Sequence, residues 1–180
     1  MAKNSNANSI RLVESLKKNV SEKVAKEFED QYPLSASANI QKKYEWANNA
    51  CIFLEEHCDS DTIRKIREGC KCNDGKSIAN KMKKYLKNAD SIEAFVLAFS
   101  QNETFAALEY IAENKIHFCY PECYCSCVKH VPKELSKTWC YCTVGNAKGV
   151  FEELFEKQVK ITLLESIKSG ASRCVMEVEW

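Results

Sequence analysis

Eleven cysteines stand against three histidines in a chain of 180 residues, and they are not scattered. One block holds Cys51, Cys58, Cys70 and Cys72; a second holds Cys119, Cys123, Cys125, Cys127, Cys140 and Cys142; Cys174 stands apart. Thiolates are soft ligands that select zinc, monovalent copper or iron–sulfur clusters. They are also the nucleophile of disulfide exchange and of thiol-dependent hydrolysis. Met1 to Asn8 has no apolar stretch of a secretory leader, so a cytoplasmic location is expected. Thiols stay reduced there, and clustered cysteines then point to metal or redox chemistry rather than to structural disulfides.

The spacing is C-x-C three times over, at Cys70/Cys72, Cys125/Cys127 and Cys140/Cys142. Residues two apart on a strand share a face. Cys123 to Val128 and Thr138 to Val144 read as two strands, which a short connection lets pair antiparallel. Opposed side chains would then lie ~4.5–5.5 Å apart, within reach of one ion. The expected ligands are Cys123, Cys125, Cys127, Cys140 and Cys142, joined by Cys70 and Cys72 from a loop. Zinc is the expected metal, with an iron–sulfur cluster as the alternative. A C-x-C pair on a flat strand splays its thiols, so a set drawn from two such pairs is the more comfortable one. His130 follows Cys127 by three and could complete a site of three cysteines and a histidine; His117 and His57 read as ordinary side chains. Lys129 and His130 could instead lower a thiol's pKa for nucleophilic work. The plain alternative is that these cysteines are small buried hydrophobes. That reading suits Cys51, on a helical core spacing, and Cys174, on the apolar face of a strand, better than the others; Cys58, at a helix end, is evenly balanced.

The elements that must position these residues follow from periodicity. Ser9–Gln31, Ala36–Cys58, Thr62–Gly69, Ser77–Asn88, Ile92–Ser100 and Thr104–Asn114 read as helices, with Asp59 and Asp90-Ser91 as caps and Gly69 as a helix-ending glycine. Cys70–Gly75 reads as a loop. From about Lys115 the chain changes character. Ile116–Tyr120 is a strand, Gly145–Gly149 a turn, Val150–Lys157 a short helix, and Val159–Leu163 and Cys174–Trp180 alternate as strands. This is an α+β chain: a helical N-terminal half packed on an antiparallel sheet with one crossing helix. One domain is expected over 1–180, with a helical subdomain 1–114 and a Cys-rich subdomain 115–180.

Composition narrows the classes further. Lys and Arg number 26 against 25 Asp and Glu, a formal net charge of +1, which argues against a nucleic-acid partner. No apolar run is long enough to span a membrane. Five glycines and no phosphate-cradling, nucleophile-elbow or zinc-protease motif remove the common enzyme signatures.

Over about 138–180 the layout is more specific. Trp139-Cys140-Tyr141-Cys142-Thr143-Val144-Gly145 is followed by Val150–Phe155, Val159–Ile167, Ser169-Gly170 and Arg173–Val178. This resembles the end of the four-vinyl-reductase-type small-molecule-binding domain, and is similar to the aminothiazoline-carboxylate hydrolase-like group; the chain looks like a cysteine-rich bacterial relative of both. The resemblance implies a ligand-pocket α+β fold, a small-molecule ligand and a zinc site built from cysteines. Cys142, Gly145 and Cys174 match its pattern; Cys123, Cys125, Cys127 and Cys140 depart from it. The resulting expectation is a small-molecule-binding protein with a thiolate metal site, a homodimer being an allowed assembly. The alternative is a thiol-dependent hydrolase or redox enzyme with a clustered cysteine as nucleophile.

Overall fold

Residues 5–180 are described by a computed structural model. The leader reading at Met1 to Asn4 lies outside them. The chain divides into two compact units, each assembled from two segments. The first is Met1–Cys72 with Tyr124–Gly145; the second is Asn73–Cys123 with Asn146–Trp180. Each therefore draws chain from both sides of residue 115.

The first unit is helical. Helices α1 (Ala7–Asn19), α2 (Glu22–Gln31), α3 (Ile40–His57) and α4 (Ser60–Gly69) are each started by a side chain that accepts a backbone N–H: Asn6, Ser21, Asn39 and Asp59. Ser21 is why the expected single helix from Ser9 to Gln31 is two. Val20 leaves helical geometry and Ser21 recaps the chain by accepting from Val24. Asn39 likewise moves the start of the second expected helix from Ala36 to Ile40. The core is aromatic and aliphatic: Phe28 packs on Phe53 at 5.1 Å and on Trp46 at 5.9 Å between ring centroids, beside buried Leu12, Leu16 and Ile66. Gly69 does not end α4 in a left-handed conformation; only Gly75 and Gly170 among the glycines have positive φ. Its lack of a side chain serves close packing, since a Cβ there would meet Ser15 Oγ at 2.7 Å.

The second unit holds α5 (Lys76–Lys87), α6 (Ile92–Asn102) and a four-stranded antiparallel sheet of order β1-β2-β4-β3. Its strands are β1 (Ala107–Ala112), β2 (Lys115–Tyr120), β3 (Lys160–Glu165) and β4 (Cys174–Glu179). The α+β class is as expected. One sheet face is apolar: Ile116 pairs with Val178 and Phe118 with Met176, all buried. Phe151 of α7 (Cys142–Phe155) packs on Phe118 at 5.2 Å. The division between the units falls inside α7, after Gly145.

Four expectations are corrected. Thr104–Asn114 is not a helix; Leu108 pairs with Phe118 and Glu109 with His117 as β1, because a neighbouring strand supplies partners that local pattern cannot see. Cys123–Val128 is not a strand but irregular chain passing into a turn, in which the Cys125 carbonyl accepts from the N–H groups of Val128 at 3.1 Å and Lys129 at 2.9 Å. Thr138–Val144 is a 3-10 helix, Lys137–Tyr141, running into α7. Gly145–Gly149 is helical, and the short helix expected from Val150 starts at Cys142.

Candidate functional site: thiols around a buried arginine

The first unit places an arginine among its cysteines. Arg67, on α4, is 2% exposed. Its Nη2 donates to the Trp139 carbonyl at 2.7 Å, and its guanidinium lies 4.2 Å from the Trp139 ring centroid. Trp139 is itself held edge-on by Trp46 at 5.8 Å. Among the described residues Arg67 makes no ion pair with a carboxylate, and its Nε is buried without a hydrogen-bond partner. Burial works against its charge, yet the thiols of Cys70, Cys142, Cys51 and Cys125 outweigh that and raise its pKa. The cation thus meets a carbonyl oxygen and several thiols rather than a carboxylate.

The turn 125–131 brings Cys125 and Cys127 into side-chain hydrogen-bonding contact. That is the reverse of the splayed pair a strand would give. The S–H of Cys127 favours the Cys125 thiolate and is the largest cause of its lowered pKa. Burial opposes the shift; the Trp139 indole N–H at 3.4 Å, the Cys127 backbone N–H and Arg67 add to it. Cys127 moves the other way, because it keeps the shared proton and is 1% exposed. The amide of Asn8 donates to Cys127 Sγ at 3.0 Å.

Further thiols of the same unit share this field. Cys72 faces Arg11 Nη2 at 3.8 Å and interacts electrostatically with both Cys127 and Cys142. Cys142 interacts with Cys125 and Cys140, and burial pushes its thiol up. Cys70 points its S–H at the Ile66 carbonyl, 3.2 Å away; burial raises it while Arg67 and Arg11 pull it down. Burial pushes Cys51 up to about 12, in keeping with a core side chain. Gly145 lets the start of α7 approach the end of α4: a Cβ there would sit 2.0 Å from the Glu68 carbonyl oxygen.

Of the expected ligands, Cys70, Cys72, Cys125, Cys127, Cys140 and Cys142 therefore belong to one unit, whereas Cys123 belongs to the other. The strand pairing expected to gather them is absent; they lie on a turn, a loop and a helix start. Among the described residues no group of three or more His, Cys, Asp or Glu is placed so that it could hold a metal ion. His130 and Lys129 are exposed. His57 stacks on Phe53 at 4.0 Å and contacts its carbonyl through Nδ1 at 2.8 Å. His117 lies in the second unit between Glu109 at 3.5 Å and Glu177 at 3.8 Å, in one row across β1, β2 and β4. Cys119, buried against Glu109, is pushed up to about 11 by burial first and that carboxylate second. Cys58 and Cys174 are also raised, by burial.

Sequence reading missed Arg67, Trp139, Asn8 and Arg11. Arg67 left one signal: it falls four residues after Ile63 and beside Ile66, on the apolar stripe of α4, where an unpaired cation is out of place. The first unit also carries an open groove of about 500 Å³ lined by residues including Tyr32, Ser35, Ser37, Lys42, Glu45 and Trp46.

No helix among the described residues is long and apolar enough to cross a membrane. No curated protein matches the chain. Among solved structures the chain is similar to an H-NOX protein from S. oneidensis in the Fe(II)NO ligation state, at 12% identity and TM-score 0.45, covering 97% of this chain and 98% of that one. It is also similar to the Fe(II) unliganded H-NOX protein from K. algicida, at 10% identity and TM-score 0.47, covering 97% and 96%. The model of the family described as a family of unknown function (DUF6144) matches residues 1–179, and the chain belongs to that family.

Proposed function

We propose that the first unit carries a soft-metal thiolate centre and that the protein works through it as a metal-dependent small-molecule-binding protein. The carrying observation is Arg67: a buried guanidinium that faces the thiols of Cys70, Cys142, Cys51 and Cys125 and pairs with no carboxylate. A buried cation is costly unless an opposite charge meets it. Thiols supply that charge only as thiolates, and a metal is what turns several neighbouring thiols into thiolates at once.

Charge arithmetic favours zinc. Four thiolates on a divalent ion carry a double negative charge, and Arg67 with Arg11 carries a double positive one. Cys72, Cys125, Cys127 and Cys142 interact electrostatically with one another, as Cys140 does with Cys142 and Cys70 with Cys72, and we take these four, from all three C-x-C pairs, as the ligand set. A site with four protein thiolates is closed, which suits a centre that holds a turn, a loop and a helix start together. The groove beside Trp46 is open, and its volume of about 500 Å³ falls within the range of small-molecule sites.

The test is the metal content of the anaerobically purified chain and of the Arg67→Met variant. About one zinc per chain, with weakened retention in the variant, supports the reading. Metal-free protein after growth with added zinc contradicts it.

A further inference from the structure

We propose that β3 is an interface edge, at which two copies of this chain pair antiparallel about a two-fold axis and join their sheets into one. The sheet has two edges, β1 and β3. The chain covers the first itself: Ser100 Oγ, on α6, bonds both the N–H and the carbonyl of Leu108 at 2.8 Å. β3 is the other edge, and Lys160, Thr162, Leu164 and Glu165 are exposed along it. An edge strand presents backbone groups that a further strand can take up.

The register on β4 fixes which side chains that further strand would meet. Lys160, Thr162 and Glu165 lie opposite Glu179, Glu177 and Val175, whereas Ile161 and Leu163 lie opposite Val178 and Met176. The irregularity between Leu163 and Glu165 drops Leu164 from the alternation. Lys160, Thr162 and Glu165 therefore share one face, and Ile161 and Leu163 the other. This order is its own complement. With Thr162 opposite Thr162 of the second copy, Ile161 meets Leu163 and Lys160 meets Glu165, each twice by symmetry. Charge favours the same register. Lys115, Glu179 and Lys160 form one row across the sheet, with Lys115 3.5 Å and Lys160 3.2 Å from Glu179. Glu165 of the second copy takes the next place, so the row continues with its signs alternating. A lysine and a bulge also guard an edge against indiscriminate pairing. Here they select one register, because sliding the second copy until Lys160 faces Lys160 sets like charges together.

Sedimentation velocity of the full chain over a concentration series reads the association, and amide hydrogen exchange at low and high concentration locates it. The wild type is expected to dimerise, with exchange slowed over 160–165 and unchanged over 107–112. Lys160→Glu and Glu165→Lys are each expected to weaken the dimer at least about tenfold, since two attractive pairs become two repulsive ones. Thermal unfolding checks that each variant is folded. Mixed in equal amounts, the two variants are expected to dimerise with each other, because each supplies the charge the other lacks. Lys160→Glu also sets a carboxylate beside Glu179 of its own chain, and the mixture separates the two effects: that repulsion persists while the dimer returns. A chain that stays monomeric throughout overturns the inference. So does a dimer whose slowed exchange lies outside 160–165, a dimer that neither variant weakens, or a mixture that restores nothing. β3 carries no cysteine, so metal content does not enter these outcomes.

Discussion

The guanidinium of Arg67 and the ring of Trp139 lie 4.2 Å apart, and the same arginine donates to the tryptophan's carbonyl at 2.7 Å. The indole N–H of that tryptophan then reaches Cys125 Sγ at 3.4 Å. A buried cation, a flat ring and a sulfur are thus fixed in one chain of contacts. After the hydrogen bond from Cys127, the largest cause, these contacts add to the lowering of the Cys125 pKa.

Arg67→Met keeps much of the side-chain volume and removes the charge. It orphans the Trp139 carbonyl, at a cost of roughly 1–3 kcal/mol. It also removes one of the groups that lower Cys125, so the alkylation midpoint of that thiol moves up. Urea unfolding and a pH series of iodoacetamide labelling read the two effects separately. An unchanged labelling midpoint denies Arg67 its electrostatic role.

Among the thiols, Cys125 is expected to alkylate fastest at neutral pH, because its hydrogen bond from Cys127 lowers its pKa and leaves it thiolate where ordinary cysteines are protonated. Cys51, raised to about 12, and Cys119, raised to about 11, stay inert in the folded protein. Mass mapping after brief labelling of metal-free protein gives the order. Preferential labelling of Cys51 or Cys119 contradicts these environments.

Gly145→Ala is expected to destabilise by about 1–3 kcal/mol through overpacking. Alanine normally gains about 1 kcal/mol over glycine inside a helix. Here its Cβ would fall 2.0 Å from the Glu68 carbonyl oxygen, so two backbones must part. Thermal unfolding decides, and a stabilised variant would show that the helix preference outweighs the clash.

On the acid side, Glu103 has its pKa lowered from 4.5, first by the hydrogen bond from Lys81, with the Tyr85 hydroxyl adding to it. A carboxylate depressed in the folded state contributes stability above its unfolded pKa and loses it as pH falls through the folded value. Stability therefore declines as pH drops below the ordinary carboxylate range, and Glu103→Gln flattens part of that limb. Parallel acid limbs in the two proteins would remove this pair as a contributor.

The legible parts of the sequence were those with local causes. The caps Asp59 and Ser91, the alternating β4 and the loop at Cys70–Gly75 all stand where periodicity and side-chain chemistry put them. The errors had non-local causes. Leu108 belongs to a strand because Phe118 lies opposite it, and because Ser100 Oγ bonds both its N–H and its carbonyl at 2.8 Å. Gly145 looked like a turn residue, but it is needed for room against Glu68 inside a helix. The cysteines singled out in the sequence lie on a turn, a loop and a helix start rather than on paired strands. Arg67, which interacts with four of them, was hidden within an amphipathic helix.

The most direct test of the account is elemental analysis of the anaerobically purified chain, paired with a thiol count before and after a strong chelator. The account predicts about one zinc per chain, with Cys72, Cys125, Cys127 and Cys142 protected until the metal is stripped. Metal-free protein, with those four thiols alkylating equally with and without chelator, would contradict it.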